Sequence, residues 1–249
     1  MGLENKVIIV TGAAGGIGEC YARRLVDEGA RVVVADLDDE RGQRVTDEIR
    51  RGGGDAFYAH VDVADPESAQ ELANRTVEYY GGIDGLVNNA AIYAGMKLEP
   101  LISVDLAYYR RFLDVNLSGA LHCTRACYPA IAERGGGSIV NQSSSAAWMT
   151  HSFYSLAKAS LNSLTVCLAH ELGEMGIRVN AIAPGLTDTE ATRGTVAGEV
   201  ADAIVSSLAI KRLGRPEDQN GALVFLLSDD SAWVTGQILS VDGGGTLRL

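Results

Sequence analysis

Tyr154 and Lys158 stand four positions apart at the front of residues 154–175, a stretch that reads as a long helix. That spacing puts both side chains on one helix face as neighbours. An ammonium beside a phenol favours the phenolate and draws its pKa down from about 10. Bringing the phenol near neutrality takes about 4 kcal/mol, more than one solvated lysine supplies. A second positive charge is needed, and an oxidised nicotinamide ring would provide it. The pair therefore implies a cofactor, and the rest of the chain is expected to build its site. The spacing alone decides little, because Tyr93 and Lys97 repeat it around Gly95 in a stretch without helical period.

The elements that must position the pair alternate strand and helix. Residues 6–10 read as a strand, its apolar run Val7-Ile8-Ile9-Val10 suited to a parallel strand covered on both faces. It leads into Thr11-Gly12-Ala13-Ala14-Gly15-Gly16-Ile17-Gly18 and a helical pattern to residue 28. A glycine turn between strand and helix lets backbone approach a pyrophosphate, and the helix start offers it free N–H groups. The second strand, 31–35, ends at Asp36, a carboxylate suited to both ribose hydroxyls and repulsive to a 2′-phosphate. No Lys or Arg stands in the glycine turn or directly after Asp36, which favours NAD over NADP. Asp38 or Asp39 can cap the helix at 40–51, leaving Asp36 for the cofactor.

A third strand, 56–61, ends at Asp62-Val63, placed to meet an adenine edge, and a helix follows over 66–80. The fourth strand, 85–87, runs into Asn88-Asn89-Ala90-Ala91, whose small residues allow close packing and whose asparagines can tie strands together. Residues 105–132 read as one long helix with Asn116 in its middle. Asparagine is a mediocre helix former, which hints at a hydrogen-bonding task; a satisfied core asparagine accounts for it equally. The fifth strand, 138–142, opens onto the serine loop before the Tyr154 helix, an edge at which open α/β sheets bind ligands. The sixth strand, 178–183, ends in Pro184-Gly185-Leu186-Thr187-Asp188-Thr189. Residues 188–210 turn polar and small, as a lid over a site would. A last helix, 215–227, and a last strand, 237–241, complete a single doubly wound α/β domain over 1–249 with a mostly parallel seven-stranded sheet. Tyr93, Ala146, Ala147, Trp148, Met149, Phe153 and Leu186 surround the expected pocket and suit a hydrophobic secondary alcohol or ketone. His151 reads as a loop residue rather than a second base.

The chain has 249 residues and a net charge of −11, which argues against nucleic acid and anionic membrane surfaces as partners. Cys20, Cys123, Cys127 and Cys167 complete no metal-ligand set and read as buried free thiols of a reducing compartment. Without a signal peptide or membrane-length apolar run, a cytoplasmic location is expected.

Taken in order, Thr11-Gly12-x-x-x-Gly16-x-Gly18, Asp62, Asn88-Asn89-Ala90, Asn116, the serine loop, Tyr154-x-x-x-Lys158, Pro184-Gly185 and Val241-Asp242-Gly243-Gly244 resemble the short-chain dehydrogenase/reductase superfamily over essentially the whole chain. The resemblance implies an NAD(P)-dependent alcohol dehydrogenase or ketone reductase, usually a homotetramer, with a small-molecule substrate and no catalytic metal. It implies Tyr154 as acid/base, Lys158 as its electrostatic partner and ribose ligand, and Ser144 as donor to the substrate oxygen. Asn116 would hold a relay water, and Thr187 and Thr189 would face the nicotinamide half. The strand alignment selects Ser144, with Ser143 and Ser145 as alternatives. Ala91 stands where the family commonly has glycine, and the Ser144–Tyr154 loop is shorter than usual, which puts the substrate wall in question. An NADPH-dependent 3-oxoacyl-[acyl-carrier-protein] reductase is the nearest rival, with Arg125, Arg134 and Arg178 as a conceivable docking patch. A non-catalytic dinucleotide sensor is the other.

Overall fold

A computed structural model describes residues 2–97, 99–149 and 152–247. The strands are β1 (Val7–Thr11), β2 (Arg31–Asp36), β3 (Ala56–His60), β4 (Gly85–Asn88), β5 (Gly137–Gln142), β6 (Ile177–Pro184) and β7 (Ile238–Val241). The helices are α1 (Gly16–Asp27), α2 (Asp39–Arg51), α3 (Pro66–Tyr80), α4 (Leu106–Leu113), α5 (Gly119–Glu133), α6 (Phe153–Leu172), α7 (Glu190–Thr195), α8 (Gly198–Ser207) and α9 (Asn220–Leu227).

The sheet has the order β3-β2-β1-β4-β5-β6-β7, and every pairing is parallel. Alternation along each strand divides the core in two. Ile9, Val33, Leu86, Ile139 and Val179 pack against α3, α5 and α6. Ile8, Val10, Val32, Val34, Val87 and Val140 pack against α1, α2 and α9. With both faces covered, the strands carry near-continuous apolar runs, as a parallel sheet requires. The chain winds outward from β1 to β3 and then returns to β4 on the other side of β1. The strand order reverses there, and the crevice at the carboxyl ends of β1 and β4 is where this architecture takes ligands.

Several element boundaries differ from the sequence reading, each for a local reason. Residues 105–132 are not one helix: a π-helical turn, Asp114–Ser118, separates α4 from α5. Asn116 Nδ2 donates to the Phe112 carbonyl at 3.0 Å and competes with the backbone ladder there. The last helix opens as a 3₁₀ turn, Pro216–Gln219, before α9. Helix α6 ends at Leu172, and a 3₁₀ turn closed by Gly176 in the left-handed region follows it. Residues 188–210 hold two short helices, α7 and α8. Cys123 and Cys127 are buried, whereas Cys20 is half-buried and Cys167 exposed, so the expectation of four buried thiols fails for the last two. No helix among the described residues is long and apolar enough to cross a membrane.

Candidate active site

The carboxyl ends of the strands open into a cavity of about 890 Å³. At one end the glycine turn presents bare backbone. Gly12 and Gly16 both have left-handed φ, 66° and 57°, and a Cβ on Gly12 would stand 2.7 Å from Ala90 Cα. Glycine is therefore required at position 12 for the turn to sit against β4. Asn89 Nδ2 pins the turn by donating to the Thr11 and Gly12 carbonyls, each at 3.0 Å. Gly15 begins α1 without a side-chain cap, so the first-turn N–H groups face the cavity uncommitted. Asp36 is held in place by N–H groups of Ala14 (2.9 Å) and Asp38 (3.0 Å). A glycine-walled anion cradle with an oriented carboxylate beyond it fits a dinucleotide.

The same cavity is bordered by Asp62, Val63, Tyr93, Ser144, Ala146, Tyr154 and Lys158, and on its far side by Pro184, Gly185, Thr187 and Thr189. Residues from most of the chain's length thus converge as expected from the motifs. Thr187 Oγ1 donates to the Gly185 carbonyl, and Thr189 caps α7 by accepting from Thr192 N–H. Asp62 is already engaged: Arg111 Nη2 lies 3.0 Å from its Oδ2, and Ala64 N–H donates to its Oδ1.

Tyr154 rests on an aromatic bed, its ring centroid 6.3 Å from that of Phe112 and 5.8 Å from that of Tyr93. Lys158 is buried, and its Nζ donates to the Gln142 carbonyl at 2.8 Å. Burial pushes the Lys158 ammonium down to about 8. Burial also raises the Tyr154 phenol above its ordinary value, a hydrogen bond from Ser144 pulls it back, and the Tyr93 phenol opposes that pull. In the protein by itself, desolvation outweighs any help from the lysine, whose Nζ lies 5.8 Å from the Tyr154 ring centroid.

The three serines separate by geometry. Ser143 Oγ is spent on Asn162 Oδ1 at 2.5 Å, across to α6. Ser145 is buried at the start of a 3₁₀ turn, Ser145–Trp148, that Ser144 caps by accepting from Ala146 N–H. Of the three, Ser144 is the one that draws the Tyr154 phenol's pKa down.

Asn116 lies behind this cavity, not in it. It borders a second cavity of about 10 Å³, shared with Thr11, Asn88, Gln142 and Lys158. That volume suits one water. Asn116 Oδ1 and Asn88 Oδ1 are buried and accept no hydrogen bond among the described residues. Two orphan acceptors beside a lysine make the polar lining that a single water needs. Asn88 Nδ2 meanwhile ties β4 to β5 through Asn141 Oδ1 at 2.9 Å.

Some expectations fail at the mouth. Of the expected pocket residues, Tyr93, Ala146, Met149 and Leu186 border the main cavity, together with Ile92, Met96 and Ile204, whereas Ala147, Trp148 and Phe153 do not. Arg125, Arg134 and Arg178 form no patch there, since none borders the cavity. Arg134 pairs with Asp84 at 3.2 Å, and Arg178 donates to the carbonyls of Leu226 and Ser228. His151 lies outside the described residues. Two residues that the motifs do not mark are Arg41 and Arg111, both bordering the nucleotide end. Arg41 reaches Glu190 of α7 at 3.4 Å, and its place in the first turn of α2, five residues after Asp36, is a signal that could have found it.

The chain is similar to known proteins over nearly its whole length. A family model described as enoyl-(acyl carrier protein) reductase matches residues 12–246. An uncharacterized oxidoreductase of Mycobacterium tuberculosis is 54% identical over 98% of this chain and 99% of its own. A 7α-hydroxysteroid dehydrogenase of Bacteroides fragilis is 36% identical over 98% of this chain and 96% of its own. A solved 7α-hydroxysteroid dehydrogenase in complex with NADH and 7-oxo glycochenodeoxycholic acid superposes with a TM-score of 0.94 at 35% identity, covering 100% of this chain and 97% of that one.

Proposed function

The chain belongs to the short-chain dehydrogenase/reductase family of oxidoreductases, and on that premise we propose that it interconverts a hydrophobic secondary alcohol and its ketone with NAD(H). One observation carries the reading. Tyr154 and Ser144 border one cavity together with the glycine turn and with the apolar side chains of Ile92, Met96, Met149 and Ile204. The cations bordering the cavity among the described residues are Arg41, Arg111 and Lys158. Arg41 is paired with Glu190, Arg111 with Asp62, and Lys158 with a carbonyl. A hydrophobic ring system placed against these apolar side chains would lose only water. A cyclic alcohol is the class favoured, in keeping with the activity of the hydroxysteroid relatives.

In this reading NAD(H), when bound, supplies the hydride acceptor or donor. The glycine turn and the open first turn of α1 hold the diphosphate, and Asp36 takes the adenosine ribose and disfavours a 2′-phosphate. Lys158 holds the nicotinamide ribose and contributes one positive charge beside the phenol. Tyr154 Oη accepts the alcohol proton in oxidation and returns one in reduction. The Ser144 hydroxyl donates to the substrate oxygen, where charge develops. Asn116 and the small cavity behind Lys158 connect that proton to a buried water. The chain acts as one nucleotide-binding unit over 1–249, residues 188–210 close over the substrate, and four copies assemble. That none of Arg125, Arg134 and Arg178 borders the cavity weighs against the acyl-carrier-protein alternative, and the assembled Tyr154, Lys158 and Ser144 weigh against a pure sensor.

The test is NADH formation across alicyclic, aromatic, steroid and acyl-thioester alcohols, with NADP as control and Tyr154→Phe as blank. Turnover confined to acyl thioesters with NADP would overturn the proposal.

A further inference from the structure

We propose that Tyr21 and Gln142 are positioning residues for Lys158, clamping from the far face of the sheet the carbonyl that holds its ammonium. The inference rests on the role given to Lys158 above. Gln142 ends β5, and its carbonyl accepts from Lys158 Nζ at 2.8 Å. That is the hydrogen bond the ammonium makes among the described residues, so the position of this carbonyl sets the position of the charge. Successive side chains of a strand point to opposite faces. Asn141 faces α6, where its Nδ2 donates to Thr165 Oγ1 at 2.9 Å. The Gln142 side chain therefore emerges on the α1 face, and there the Tyr21 hydroxyl donates to its Oε1 at 2.9 Å.

This polar pair sits inside an apolar core. Tyr21 is fully buried, Gln142 is 7% exposed, and Val10, Val140 and Ile182 belong to the cluster around them. An apolar pair of the same volume would fill that space at no loss of stability. The hydrogen bond instead joins α1, whose start forms the anion cradle, to the strand end that anchors the lysine. The cradle and the charge thus share one rigid link across the sheet. Among the described residues no carboxylate borders the small cavity beside Lys158, and the Tyr154 ring centroid lies 5.8 Å from its Nζ.

The experiment uses protein labelled with ¹³C at lysine Cε. The chain's lysines are Lys6, Lys97, Lys158 and Lys211, and all but Lys158 are exposed, so its resonance stands apart. In Tyr21→Phe the carbonyl loosens and the charged form is favoured less. The Lys158 titration midpoint is expected to fall by about half a pH unit or more. The pH profile of alcohol oxidation moves alkaline, kcat drops several-fold, and KM for NAD changes less than twofold. Gln142→Met gives the same shift, and the double variant adds nothing further. The double variant also removes both polar groups together, so it carries the test if the single variants fail to fold. An unchanged Lys158 midpoint in folded Tyr21→Phe or in the double variant overturns the clamp. Turnover that survives Tyr154→Phe instead overturns the reading of the site, and the lysine titration needs no substrate.

Discussion

Replacing Lys158 with methionine separates what the charge does for chemistry from what it costs the fold. The side chain is 3% exposed, and burial holds its ammonium at about 8 rather than the 10.5 of a solvated lysine. A lowered folded-state value means that the native state releases the proton before the unfolded chain does. Below pH 8 both states are charged, and the native state carries the full penalty, about 3 kcal/mol at 1.36 kcal/mol per pH unit. Between 8 and 10.5 the unfolded chain binds more protons, so this group's contribution to stability rises with pH. Lys158→Met keeps the aliphatic stem and removes the titration. The stability difference between wild type and variant should therefore shift toward wild type by about 2 kcal/mol from pH 7 to pH 9.5. The orphaned Gln142 carbonyl adds an offset that is the same at every pH, so the slope is immune to it. Urea unfolding of both proteins at pH 7, 8, 9 and 9.5 reads the slope directly. A difference that stays flat across that range would show that Lys158 titrates as if solvated, and would refute both its burial and its role as an anchored charge.

Other substitutions probe the remaining parts. Tyr154→Phe should keep NADH binding, followed by nucleotide fluorescence, while turnover falls roughly 100- to 10,000-fold. Asp36→Ala should cut the ratio of NAD to NADP efficiency at least tenfold, because the carboxylate that repels a 2′-phosphate is gone; an unchanged ratio would discredit that role. Ser144→Ala should lower kcat far more than Ser143→Ala, whose main effect is a lower Tm from the lost bond to Asn162. The opposite order would move the serine assignment.

Much of this site is readable from the chain because its parts are local. The glycine turn, Asp36 and the Tyr154–Lys158 spacing each declare themselves within one strand–helix junction, where backbone conformation and side-chain direction follow from a few residues. The parallel sheet and its two-sided core follow from the apolar runs in the same way, whereas the strand order rests on pairings between distant segments. What escaped depends on contacts between distant segments or on loop conformation. Asn116 marks a polar task in a helix, but the π turn appears only when its amide meets the Phe112 carbonyl. Trp148, at the end of a short 3₁₀ turn, does not border the cavity, although its expected neighbour Met149 does. The arginines offered as a docking patch turn to Asp84 and to backbone carbonyls, partners that composition leaves invisible. Tyr21 and Gln142 are far apart in sequence, and each alone looks like ordinary filling.

The uncapped start of α1 has a practical corollary. Gly15 offers no side chain to the N–H groups of residues 16–18, so whatever anion docks there completes a helix that the polypeptide leaves unfinished. Purification without nucleotide should then yield protein whose first weakness under heat or protease is this one turn, with amide exchange fastest at those residues. Adding dinucleotide to storage buffers would protect the preparation, even where no substrate is at hand.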